Sequence, residues 1–227
     1  MFDAIRKPEF FAWWDRGLCD KTHRTIKGFQ DTWIASEVVG IKGLRILEIG
    51  GRTPRLLLSL AENNSCVNAD AVLPDAPQPP NLDLTSIDTL LGDFDPRLED
   101  NSFDLAFSIS VLEHVPDEGL TDCFADMARV LKPGGRLLHA IDMYLGMTPD
   151  KVCTQRVDAY LEAASAAGLV LESPRALPAE PVFTTDMVSN PDNVMANWNT
   201  IAPTLRELRE QRQGISYKCV WRKPADS

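Results

Sequence analysis

RILEIGGRTPRLLLSL occupies Arg45 to Leu60. Its first half is an apolar run, Ile46-Leu47-Glu48-Ile49, that ends in Gly50-Gly51. Its second half, Leu56 to Leu60, has the make-up of a helix. A short apolar run stopped by glycine and followed by a helical run reads as a strand feeding a helix. Glycine at the end of that strand lets a ligand approach the backbone with no Cβ in the way. Arg52, Thr53 and Pro54 stand where a dinucleotide-binding loop carries further glycines. A pyrophosphate needs close backbone approach at the helix N-terminus, which their bulk obstructs. The stretch therefore disfavours a dinucleotide more than it disfavours a cofactor without phosphate.

Outward from this stretch, strands and helices alternate. Cys66 to Asp70, Phe103 to Ile109, Arg136 to Ile141, Leu169 to Glu172 and Ile215 to Trp221 read as strands. Pro54 to Glu62, Leu120 to Leu131, Arg156 to Ala167 and Thr204 to Arg212 read as helices, with a short one expected over Thr85 to Leu91. In the second of these, Leu120, Phe124, Met127, Ala128 and Leu131 share one face, and Lys132-Pro133-Gly134-Gly135 stops the helix and turns the chain. This alternation predicts an α/β fold with a mostly parallel sheet and helices on both faces. Asp104, just before an apolar strand, reads as an anchor for its entry. Met1 to Gly40 reads as two helices, because Ile26, Phe29, Trp33 and Ile34 recur at helical spacing. They form an N-terminal helical cap; whether Trp13, Trp14 and Trp33 pack as core or make an apolar lid stays open. Pro178 to Pro203 has turn residues and little periodicity and reads as an insertion. The organisation expected is one domain over 1–227: cap 1–40, cofactor-binding core 43–175, then insertion, helix and closing strand over 176–227.

The net charge of -10 argues against general phosphate-backbone binding, which needs clustered Lys and Arg, so no nucleic-acid partner is expected. No apolar run is long enough to span a bilayer. The five cysteines are scattered, with no Cys-x-x-Cys and no histidine at ligand spacing, so reduced thiols, no metal and a cytoplasmic location are expected. An acidic residue about 20 residues beyond the glycines, closing the next strand, accepts ribose hydroxyls in open α/β sheets. Asp70 stands there. The glycine pair and Asp70 together point to an adenosine-containing cofactor.

Two more stretches extend the pattern: GDFDPRLEDNSFDLAFSISVLEHVPD from Gly92 to Asp117, and RVLKPGGRLLHAID from Arg129 to Asp142. With LEIGG and NAD they resemble the class I S-adenosylmethionine-dependent methyltransferases, in the branch with a Leu-Glu-His-Val segment after the fourth strand. The motifs span Gly43 to Asp142 in the family's order. The resemblance implies a Rossmann-like, seven-stranded, mostly parallel sheet, S-adenosylmethionine as cofactor and a role for each matching position. Glu48 sits beneath the glycine loop, and Ile49, Gly50 and Gly51 face the methionine part. Asp70 takes the ribose, with Ala71 beside the adenine. Asp93 accepts the adenine amino group, and Phe94 gives its backbone N–H to the ring. Ser108 and Ile109 offer backbone groups to the ammonium. The departure lies at Arg52 and Pro54, where the family usually has glycine.

A hydroxyl acceptor has to lose its proton during or after attack, and histidine suits that work near neutral pH. His114, His139 and Asp142 are the catalytic candidates, Asp142 as a partner that orients His139 if the strand ends near Ile141; His23 ranks below them, and Tyr144 is placed at the substrate mouth. The expected acceptor is a small molecule or saccharide, at a hydroxyl. Competing readings are a methyltransferase-like binding or regulatory protein without catalysis, and a nicotinamide-dependent oxidoreductase. The latter lacks a full glycine fingerprint and any Tyr-x-x-x-Lys pair. A nucleic-acid methyltransferase is disfavoured by the acidic charge.

Overall fold

The computed structural model describes residues 2–5, 7–18, 26–74, 80–145, 154–172 and 213–225. At the centre of the sheet, β2 (Arg45–Ile49) and β5 (Phe103–Ile109) run parallel, with Ile46 opposite Leu105 and Ile49 opposite Ser108. Beyond β2 lie β3 (Ser65–Ala69) and β4 (Leu84–Ile87), both parallel to it. Beyond β5 lies β6 (Leu131–Leu145), also parallel, and then β8 (Gln213–Arg222), antiparallel. The outer edge of β8 carries β1 (Phe2–Ala4) and β7 (Val170–Leu171), both antiparallel. The order is β1-β8-β6-β5-β2-β3-β4, a path of seven strands as expected, with β7 added on β8. Strand order reverses between β2 and β5, which is where open α/β sheets bind their ligands.

Side chains alternate across the sheet, so each strand feeds two cores. Ile46, Leu105, Phe107, Leu138, Ala140 and Val220 face one side. They pack under α1 (Lys7–Asp15), α2 (Ile26–Val38) and α3 (Arg55–Leu60), through Phe10, Trp13, Phe29, Trp33, Ile34 and Leu57. Leu47, Ile49, Ala106, Leu137, Ile141 and Trp221 face the other side, under α4 (Leu120–Val130) and α5 (Thr154–Ala166). The first of the two open readings of the N-terminal aromatics is the one observed. Trp13 and Trp33 are buried, and Phe10 meets Phe29 edge-on at 4.5 Å between ring centres. The N-terminal helices cover a whole sheet face.

Three local expectations need correction. Thr85 to Leu91 is not helical: Leu84–Ile87 is a strand, because the exposed edge of β3 offers a parallel ladder that Cys66 to Ala69 complete. Lys132 to Gly135 ends α4 without leaving the sheet. Phe103 pairs with Leu131 and Leu105 with Arg136, so the intervening residues bulge out of register. Gly135 is required there, because a Cβ would stand 2.8 Å from the Lys132 carbonyl and 3.2 Å from that of Phe103. Finally, β6 does not end near Ile141 but runs to Leu145. The readings over Pro178 to Pro203 and Thr204 to Arg212, and His23, lie outside the described residues. Asp104 is the anchor expected. It accepts the Arg45 N–H at 2.9 Å and holds Lys132 Nζ at 2.7 and 2.8 Å.

One buried charge ties α1 to the sheet. Lys218 of β8, with a side chain 4% exposed, meets both carboxylate oxygens of Glu9 at 2.6 Å. Removing one partner of a buried pair leaves an uncompensated charge, which costs about 3 kcal/mol. Glu9→Gln is therefore expected to lower the unfolding free energy by about that amount in urea titration. Adding Lys218→Met recovers at least half of the loss. Equal stability of wild type and Glu9→Gln would show that the pair does not hold α1.

Candidate active site

The carboxyl ends of β2, β3, β5 and β6 lie side by side around the switch point. Gly50 has φ +70°, and a Cβ there would sit 2.5 Å from Val111 Cγ2 in the loop after β5. A Cβ on Gly51 would sit 2.6 Å from Asn68 Oδ1 and 2.6 Å from Glu48 Cδ. The first glycine is thus required by its left-handed backbone and by the neighbouring loop, the second by the floor beneath it. That floor is polar. Glu48 and Asn68 are opposite one another in the β2–β3 register and both are buried. Glu48 Oε2 and both polar atoms of the Asn68 amide have no hydrogen-bond partner. Burial, reinforced by the nearby Asp31 charge, pushes the Glu48 carboxyl up to about 8. It is mostly protonated at neutral pH. Three orphaned polar atoms under a glycine that admits no Cβ are what a polar ligand at this loop would satisfy.

The rim departs from a glycine-rich loop without filling this space. Arg52 and Thr53 are exposed. Pro54 precedes the first turn of α3, where its missing N–H costs nothing. Arg55 then grips Asp31 of α2 with two bonds, Nε at 3.0 Å and Nη2 at 2.9 Å. The cap helix thereby holds the helix that follows the loop.

Asp70 follows β3, where it was expected. Its Oδ1 accepts the Val72 N–H at 2.8 Å, which sets the turn that exposes Ala71 and Val72. Asp93 and His114 both line a cavity of about 410 Å³, together with Leu91, Gly92, Val111 and Val115. Phe94 needs correction. Its N–H is donated to Asp126 Oδ2 at 3.0 Å, and the same oxygen takes the Gly92 N–H at 2.8 Å, so the Phe94 N–H is not directed to a ring. The loop instead presents the half-exposed Phe94 ring, on a backbone with φ +53°. Ser108 is flanked by Ile49 and His139 in the ladders, whereas Ile109 keeps a ladder partner on β6 alone, Ala140. The open end of β5 is therefore Ile109 and Ser110.

His139 also needs correction. It is fully buried, its Nδ1 2.5 Å from Ser108 Oγ and its ring edge-on to Phe124 and Trp221. Burial alone drives its pKa down to about 3, so it is neutral and out of reach of an acceptor. It does not meet Asp142. Residues three apart on a strand face opposite sides, and β6 continues through both. Asp142 turns instead to the cap side. Gln30 Nε2 donates to its Oδ1 at 2.6 Å, and Ser110 Oγ donates to its Oδ2 at 3.3 Å. Ser110 also reaches Gln30 Oε1 at 2.8 Å from a left-handed backbone, φ +54°. The Asp142 N–H points to Glu113 Oε1 at 3.4 Å. Burial raises both carboxyls above their ordinary range, and for Glu113 the Asp142 charge adds to it. Of the residues near Asp142, Gln30 and Ser110 carry no sequence signal that reads as a site, whereas Glu113 lies in the Leu-Glu-His-Val segment, whose only candidate read from the sequence is His114. Asn68 had one: two positions before Asp70 on a strand, it shares that face. Among the described residues no group of His, Cys, Asp and Glu is placed to hold a metal.

The methyltransferase-domain family model matches residues 47–139. The chain is also similar to solved structures. It shares 16% identity with the cyclase SpnF, at a TM-score of 0.57, covering 88% of this chain and 83% of that one. It shares 14% with geranyl diphosphate C-methyltransferase from Streptomyces coelicolor A3(2), at 0.57, covering 87% and 82%. It shares 12% with 1,6-didemethyltoxoflavin-N1-methyltransferase from Burkholderia thailandensis, at 0.53, covering 96% and 86%. At these identities the likeness shows the fold. No curated protein matches the sequence.

The floor makes a prediction about stability. A carboxyl whose folded pKa is raised binds its proton more tightly in the folded than in the unfolded chain. Its contribution is present at low pH and is lost as pH rises from the unfolded value of about 4.5 toward 8. The loss between those limits at pH 7 is on the order of 3 kcal/mol. Glu48→Gln, which cannot ionise, is expected to gain stability relative to wild type steadily from pH 5 to 8 in thermal melts. A constant difference across that range would show that Glu48 is not held protonated.

Proposed function

The chain belongs to the class I S-adenosylmethionine-dependent methyltransferases, with their methyltransferase domain over residues 47–139, and from that premise we propose that it methylates a small-molecule or saccharide acceptor at a hydroxyl oxygen. The observation that carries the cofactor part is the floor of the glycine loop. Gly51 has no room for a Cβ, and the carboxyl and amide below it lack partners. S-adenosylmethionine supplies an activated methyl on a sulfonium. The residues suited to hold it are Gly50, Gly51, Glu48 and Asn68 at the methionine end, Asp70 at the ribose, and Asp93 with the Phe94 ring at the adenine. Arg52 is exposed beside the loop and its guanidinium can meet the cofactor's carboxylate.

The hydroxyl part is supported by the carboxyl pair formed by Asp142 of β6 and Glu113 of the turn after β5. A free amine attacks without giving up a proton first, whereas a hydroxyl needs a base near it. A buried carboxyl pair at the acceptor side offers one. His114 is exposed on the wall of the adjoining cavity and not in the core, which supports its contacting the acceptor. We treat residues 1–227 as one domain acting in the cytoplasm. The free cysteines among the described residues, Cys66, Cys123 and Cys219, are buried, and no described helix is long and apolar enough to cross a membrane. With its acidic charge, the chain is assigned no nucleic-acid partner.

Calorimetry with S-adenosylhomocysteine, and NAD as control, tests the cofactor part. Binding near micromolar is expected for the former alone, with Asp70→Ala weakening it by at least ~10-fold, the value of a lost charge-assisted bond pair. Binding of NAD instead would refute the proposal. A panel of phenols, saccharides and amines with labelled S-adenosylmethionine then identifies the acceptor atom. Turnover of amines alone would refute the hydroxyl reading.

A further inference from the structure

Glu113 sits in the one-turn helix Leu112–His114 that follows β5. Its Oε1 accepts the Asp142 N–H, and its Oε2 is buried with no partner. A buried carboxyl oxygen without a partner is costly, on the order of 1–3 kcal/mol, and is kept where a ligand completes it. The surroundings hold this group from every side. Asp142 comes from β6 and is itself pinned by Gln30 from α2 and Ser110 from the end of β5. The charged and titratable groups that face the pair are Lys27 on α2, His114 on the same turn, and Cys219 on β8.

We infer that Glu113 is the catalytic residue that receives the acceptor's proton, and that Asp142, Gln30 and Ser110 are the residues that position it. The inference rests on the methyl-transfer reading above and gives the base role to a residue other than the three candidates read from the sequence. The acceptor O–H proton passes to Glu113 Oε2 as the acceptor oxygen bonds to the methyl carbon. The broken C–S bond leaves its electron pair on sulfur, and the sulfonium becomes a neutral thioether. The proton later leaves Glu113 to water. The charge balance favours this direction, since one cation and one carboxylate become a thioether and a carboxylic acid.

Burial first, and the Asp142 charge next, raise the Glu113 pKa toward neutrality, where a base is most effective. His139 cannot serve, being neutral inside the core. Asp142 Oδ1 already takes the Gln30 amide N–H, and its side chain lies on the cap side. Glu113 is ionised only as pH rises through its raised pKa, so kcat rises with pH to a plateau.

The test uses full-length protein loaded with S-adenosylhomocysteine and labelled with carbon-13 at the glutamate carboxyls. The resonance absent in Glu113→Gln is expected to titrate at least two units above the ordinary glutamate value of about 4.3. In Asp142→Asn, which keeps an oxygen for the Gln30 bond but removes the charge, that midpoint moves down, and the midpoint of the kcat–pH profile moves down with it. With the hydroxyl compound turned over most rapidly in the panel, Glu113→Gln lowers kcat ~100-fold or more, while S-adenosylhomocysteine affinity stays within a factor of about 2. An ordinary titration of Glu113, a kcat–pH profile unmoved by Asp142→Asn, or a kcat in Glu113→Gln within about threefold of wild type overturns the inference. Calorimetry on the same samples separates the two failures. Wild type that does not bind S-adenosylhomocysteine fails the methyl-transfer reading. Binding with kcat unchanged in Glu113→Gln fails this inference alone.

Discussion

The parallel ladder between β2 and β5 is the constraint on which the rest depends. Both strands are buried on both faces, so their backbone groups have no water to turn to and must pair with each other and with β3 and β6. That pairing sets Ile49 opposite Ser108. It therefore brings Gly50 against Val111 and leaves the loops after both strands facing one another. A ligand site at this edge is a consequence of the strand order reversing there, before any particular side chain is considered. The side chains then specialise it. Alternation along β2 sends Leu47 and Ile49 to one core and Ile46 to the other, and carries Glu48 to the floor of the glycine loop.

Polar groups at the two ends of the site are burdened in the same way. Glu48 and Asn68 under the loop are buried with oxygen or nitrogen atoms unsatisfied, and beside Asp142 the Oε2 of the half-buried Glu113 is buried without a partner. An unsatisfied buried polar atom costs about 1–3 kcal/mol, comparable to a large part of a domain's net stability. Such a cost is tolerated where a ligand removes it. His139 is also buried, between Phe124 and Trp221, with Ser108 on its Nδ1 and no partner on its Nε2, and its role is packing. An unsatisfied buried atom thus does not by itself mark a functional residue; its place among the loops at the sheet's carboxyl edge has to be added.

The N-terminal helices join the two ends. Consecutive residues of α2 do so, Gln30 bonding Asp142 and Asp31 bonding Arg55. One helix therefore bonds Asp142 of β6 through one residue and the helix after the glycine loop through the next. The same helix is held to the sheet by apolar contacts of Phe29, Trp33 and Ile34, so its position is set by packing and not by the site itself.

The amino-acid sequence by itself determined most of the order of strands and helices, the position of the glycine pair and Asp70, and the resemblance to the methyltransferases. These rest on local signals: short apolar runs, helical spacing and motifs contiguous in the chain. It misplaced Thr85 to Leu91, where an unpaired sheet edge outweighed local helical character, and it could not tell that β6 runs past Ile141. What only the tertiary structure decided is which polar residues share a space. Gln30 lies 112 positions from Asp142, and Asp126 lies 32 from Phe94. His139 and Asp142, close in sequence, are parted by the pleat of one strand. Side-chain partnership at a site is set by the face and register of elements distant in sequence, and neither leaves a trace in the local pattern that forms each element.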